Sequence, residues 1–92
     1  MTASKWQFLD LLSHVEWKYP AYITRQLSKD HEHTSLAQVM LYIEDMENNG
    51  YIETQKMEKR LGVRKTRSGI RAQIEAQQNE LDTTTDASFK PV

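Results

Sequence analysis

The sequence predicts a small α+β domain, mainly helical, with a three-helix core, one β-hairpin and a closing helix. Three observations carry that expectation. Apolar residues recur at helical spacing in separate segments. Two of these segments open on a Ser-x-x-Gln capping box, Ser4/Gln7 and Ser35/Gln38, in which hydroxyl and amide satisfy each other's orphan backbone N–H groups. Between the third and last helical segments lies a basic stretch with strand composition at both ends. The chain's 92 residues suffice for one packed core. We read 1–81 as the domain and 82–92, which lacks periodicity, as a flexible tail.

The first helix is expected over 5–15, with Phe8, Leu11, Leu12 and Val15 facing the core. Residues 16–19 read as a short extended connector, because the residue before Pro20 is pushed away from helical torsions. Pro20 suits the first turn of a second helix, where a missing N–H costs nothing. Ala21, Ile23 and Leu27 give that helix its apolar face, and it ends near 28 or 29. The third helix starts at Thr34 or Ser35, with Leu36, Val39, Ile43 and Met46 as its buried stripe and Met40 beside it. Gly50, after Asn48 and Asn49, stops it, since glycine accepts the left-handed torsions of a helix end. Residues 51–57 form a strand, 58–62 a turn and 63–66 the returning strand. Ser68 then caps a last helix over 69–81, with Ile70, Ile74 and Leu81 on one side.

Charge is unevenly distributed. The formal net charge is −1, from 12 basic and 13 acidic residues. Residues 56–71 hold seven cations against the single acid Glu58, which gives +6; the rest holds five basic and twelve acidic side chains, which gives −7. A local field of that kind can bind a polyanion although the whole chain is near neutral. The chain has no Cys, so there is no disulfide framework, which suits a reducing cytoplasm. No stretch approaches the ~20 apolar residues of a membrane span, and a cytoplasmic location without membrane attachment is expected.

Three stretches carry a family resemblance. PAYITRQLS at 20–28 reads like a second helix seated under a third by Ile23 and Leu27. TSLAQVMLYIEDMENNGYIE at 34–53 resembles a third helix running through Asn49-Gly50-Tyr51-Ile52 into a wing strand. VRKTRSGIRAQIEA at 63–76 looks like a second wing strand followed by a Thr-x-x-Gly entry, Thr66 to Gly69, into the last helix. In that order they resemble the winged helix-turn-helix DNA-binding regulators grouped with the MarR and PadR families, over about residues 5–81. The resemblance implies a compact regulator of transcription that binds double-stranded DNA sequence-specifically and needs no cofactor. Such regulators are commonly dimers, so a homodimer is expected in preference to a monomer.

A helix-turn-helix presents the N-terminal part of its second member to base edges, while a basic hairpin reaches backbone or minor groove. Helix 34–49 is therefore expected in the major groove and hairpin 56–67 on the backbone. Setting the buried stripe aside leaves Thr34, Ser35, Gln38 and Tyr42 as outward candidates. Gln38 either pairs with adenine or closes its capping box. Tyr42 either contacts sugar or phosphate or packs against the wing. Lys59 and Arg60 lie at the wing tip; Arg64 and Lys65, on adjacent strand positions, point to opposite faces, so one of them meets DNA. Arg67 completes the basic set, and Arg25 and Lys29 reach a flanking phosphate. Ile70, Ile74 and Leu81 pack back on the domain or pair with a second copy.

One feature departs from that pattern. The third helix holds no Lys or Arg and carries Glu44, Asp45 and Glu47 in its C-terminal half. Phosphate binding then falls to the wing, and a winged-helix adaptor that binds protein in a replication, transcription or phage regulatory complex is the alternative. His31 and His33 flank Glu32, but a metal site needs further fixed ligands; a polar turn explains them and no metal is expected. No nucleophile motif or phosphate-binding glycine loop is present, so an enzyme is not expected.

Overall fold

In the computed structural model, which describes the backbone of residues 3–89 and the side chains of 3–78, the elements follow the order helix, helix, helix, hairpin, helix. These are α1 (Lys5–Leu11), α2 (Pro20–Asp30), α3 (Leu36–Asn48), β1 (Ile52–Met57), β2 (Arg60–Lys65) and α4 (Arg67–Phe89). The α+β class and the winged-helix element order are those expected.

The capping box at Ser4 is complete: its hydroxyl accepts the Gln7 N–H and the Gln7 amide oxygen accepts the Ser4 N–H. Yet α1 ends at Leu11, four residues before the expected limit. Leu12 takes an extended backbone (ψ 151°), and the Ser13 hydroxyl accepts the N–H groups of Val15 and Glu16 at 3.0 and 2.9 Å. That local turn competes with the helix. Val15, expected in the core, is 71% exposed, and Leu9 is buried beside Phe8 and Leu12. The connector then does more than link helices. Lys18 and Val63 exchange two 2.8 Å backbone hydrogen bonds and Lys65 N–H reaches Ser13 O, which lays residues 13–18 along β2.

Pro20 opens α2, and Ile23 and Leu27 face the core. On α3, the Ser35 hydroxyl accepts the Gln38 N–H at 3.1 Å, and Val39, Ile43 and Met46 are buried. Leu36 is not part of that stripe; it is 49% exposed. The buried arc is displaced toward the opposite flank, where Ala3 is held by Thr34 and Tyr42: its N–H donates to Thr34 Oγ1 and its carbonyl accepts from Tyr42 OH. A complete C-terminal lock ends α3. Gly50 sits at φ 76°, its N–H reaching Glu47 O while Tyr51 N–H reaches Met46 O, the pair of bonds that satisfies the last carbonyls.

The hairpin is tighter than the sequence suggests. Strands β1 and β2 pair antiparallel from Ile52↔Lys65 to Met57↔Arg60, leaving only Glu58 and Lys59 in the turn. Glu58 adopts φ 55°, which lets two residues reverse the chain where five were expected.

Thr66, not Ser68, caps α4. Its hydroxyl accepts the Gly69 N–H at 3.1 Å and donates to Gly50 O at 2.6 Å, while its own N–H donates to Tyr51 O. One side chain thus fastens the end of α3 to the start of α4. Thr66→Val removes both hydroxyl bonds and is expected to cost about 1–2 kcal/mol, read as a lower urea midpoint with an unchanged slope. The helix continues through Phe89 rather than ending near residue 81, since no Gly or Pro lies between Gly69 and Pro91. It is pinned to the body by Gln73, whose amide donates to Asp10 Oδ1 at 2.6 Å and accepts from Lys65 Nζ at 3.2 Å.

Phe8, Leu9, Ile23, Val39, Met46 and Val63 are the largest fully buried side chains, each worth roughly 1.5–3 kcal/mol of burial. They come from all three N-terminal helices and β2, so packing fixes the wing relative to α2 and α3.

Candidate nucleic-acid interface

The connector carries Trp17, Lys18 and Tyr19 directly into α2, whose first turn presents Tyr22. This run stands opposite the outer flank of α3 and the wing tip. Between them lies an open channel with Tyr22, Leu36, Met40 and Leu61 in its lining. Lys18, Arg25 and Arg60 are its charged members, and no Asp or Glu lines it. Two of the cations rest on aromatic faces: Arg60 lies 5.0 Å from the centre of the Tyr19 ring and Lys18 Nζ 5.2 Å from that of Tyr22. Such stacking restrains a long cationic side chain without neutralising it. Lys18 also pairs with Glu16 at 3.5 Å. Lys59, in the hairpin turn, is exposed.

The expected site residues of α3 and the wing tip divide into three groups. Lys59 and Arg60 stand at the wing tip as anticipated, and Arg60 faces the channel. Ser35 and Gln38 are at the start of α3. The Ser35 hydroxyl is engaged in capping, but the Gln38 side chain does not return the bond, so its amide makes no hydrogen bond among the described residues. The third group is corrected. Thr34 does not face outward: it is 5% exposed and its hydroxyl holds the Ala3 N–H. Tyr42 packs on Phe8, with ring centres 5.8 Å apart, and donates to Ala3 O. Both belong to the flank of α3 that Ala3 covers.

Of the basic strand residues, Arg64 is paired with Glu53 and lies 4.2 Å over the Trp17 ring, and Lys65 is tied to Gln73. They do point to opposite faces, and both have partners within the fold. Arg67 lies apart from the channel, in a shallow depression along α4 with Ile70, Arg71 and Ile74. Ile74 is 49% exposed and Ile70 half-buried; the Leu81 side chain lies outside the described residues. Lys29 is exposed near the end of α2.

Sequence reasoning missed Trp17, Lys18, Tyr19 and Tyr22, although three aromatic residues around one lysine over 17–22 were visible. It also missed the outer ridge of α3. Leu41 is 60% exposed, with Met40 beside it and Glu44, Asp45 and Glu47 further along. Glu47 is engaged by the Thr54 hydroxyl of the wing. His31 caps α2 and His33 stands at the surface 3.8 Å from Glu32; among the described residues no group of three or more His, Cys, Asp or Glu gathers around a common point. No helix among them is long and apolar enough to cross a membrane.

A helix-turn-helix pair whose second member runs directly into an antiparallel hairpin, closed by a further helix, defines the winged-helix class of folds. Among solved structures the chain is similar to Streptococcus pneumoniae FabT in complex with DNA, with a TM-score of 0.60 and 17% sequence identity over 90% of this chain and 57% of that one. The chain therefore spans little more than half of the FabT chain. The likeness at this identity is one of fold. No protein-family model and no curated protein matches the sequence.

Proposed function

We propose that this protein is a sequence-specific, double-stranded DNA-binding transcriptional regulator that acts without a cofactor. The observation that carries the reading is the channel between the 17–22 run and the facing surface of α3 and the wing tip, whose lining holds Lys18, Arg25 and Arg60 and no Asp or Glu. A phosphate strand laid there neutralises those cations, places the N-terminal half of α3 over the major groove, and leaves Lys59 at the wing tip for the backbone or the minor groove. The acids of α3 fall in the half that this pose keeps further from phosphate. The solved neighbour's complex with DNA supports the same reading. A homodimer in the cytoplasm, joined through the Ile70 and Ile74 strip of α4, suits a two-fold DNA site.

A second reading has its own observation. Leu36, Met40 and Leu41 are large, apolar and exposed, and the acids follow on the same helix, a composition that also fits a protein partner. Titration of labelled random duplex separates the two: saturable binding supports the regulator, and none supports the adaptor.

A further inference from the structure

The exposed ridge of α3 has a composition that limits what it can read. Across Leu36–Asn48 there is no Lys or Arg, so the helix lacks the bidentate cationic contact to guanine O6 and N7. What its N-terminal half offers instead is apolar: Leu36 is 49%, Met40 42% and Leu41 60% exposed. In the same N-terminal half, further round the helix, the half-buried Gln38 carries an amide without a hydrogen bond among the described residues. In the major groove, apolar side chains find one apolar group, the C5 methyl of thymine, and a Gln amide finds its bidentate match on adenine. Both preferences belong to the same base pair.

We propose, building on the DNA-binding reading above, that α3 recognises A·T-rich sites by packing Leu36, Met40 and Leu41 against thymine methyls. The cations of the channel supply the complementary charge for phosphate, and Leu36 and Met40 on its α3 wall, with Leu41 further round the helix, supply the discrimination. Arg60 and Lys59 at the wing tip act in the same direction, because the narrow minor groove of A-tracts concentrates negative potential that attracts such side chains.

The test uses the tightest-binding duplex recovered from a random pool, synthesised once with thymine and once with deoxyuridine, which pairs identically and lacks only the C5 methyl. Fluorescence polarisation is expected to show about fourfold weaker binding for each contacted methyl removed. In Leu41→Ala, whose substituted side chain is exposed, binding to the thymine duplex should weaken and the gap between the two duplexes should narrow. Equal affinity of the unaltered protein for both duplexes, or a recovered site with a G·C core, overturns the inference while leaving DNA binding standing. Failure to bind any duplex removes both.

Discussion

Gly69→Ala is expected to destabilise the protein by about 3 kcal/mol, the upper end for a forced overpacking. A Cβ at this position would stand 2.0 Å from Tyr51 O and 2.9 Å from Tyr51 C. Neither atom can retreat alone: Tyr51 N–H is bonded to Met46 O, and Tyr51 O accepts the Thr66 N–H. Relief requires moving the first turn of α4 away from the end of α3, which breaks the Thr66 bridge as well. In a domain of this size that loss lowers the thermal midpoint by about 12–24 °C, measurable by circular dichroism. A midpoint within error of the original would mean that α4 does not seat directly on the α3–β1 junction.

The joint replacement of Lys59 and Arg60 by alanine has the opposite signature, with stability kept and affinity lost. Both residues are exposed, and the principal contact given up inside the fold is the stacking of Arg60 on Tyr19. If each cation neutralises one phosphate, the slope of log affinity against log salt becomes shallower by about two. Affinity should fall on the order of tenfold near physiological salt, by the same factor on every duplex. A loss confined to particular sequences would place these side chains on base edges instead, and an unchanged affinity would remove the wing from the interface.

Local rules written in the sequence account for the element order. The Ser4/Gln7 box, Pro20 at the first turn of α2, the Ser35 cap and the Gly50 stop all act within a few residues of themselves, and all stand where spacing placed them. The errors arise where a distant partner decides. Val15 keeps helical spacing with Phe8 and Leu12, yet the Ser13 hydroxyl turns the backbone before the helix reaches it. Leu36 fits the α3 stripe by period, but Ala3, far away in sequence, occupies the other flank and turns the buried arc toward Tyr42. The same contact removes Thr34 from the surface.

Charge shows the difference most plainly. Residues 56–71 carry seven cations within sixteen positions, but folding disperses them. Arg64 goes to Glu53 and Trp17, Lys65 to Gln73, and Arg67 and Arg71 to the side of α4. The cations that face the channel together, Lys18, Arg25 and Arg60, come from three elements, and two of them lie outside the basic segment. The +6 of that segment located the wing correctly and overstated how much of its charge one ligand could meet.

On the proposed reading, this channel holds a phosphate strand of duplex DNA. Titrating a labelled duplex at several salt concentrations decides whether it does. With Lys18, Arg25, Lys59 and Arg60 as the contacting cations of one protomer, log affinity should fall linearly with log salt at a slope of about −3 to −4 per protomer. Salt-independent binding, or no saturable binding to duplex at low salt, would contradict it.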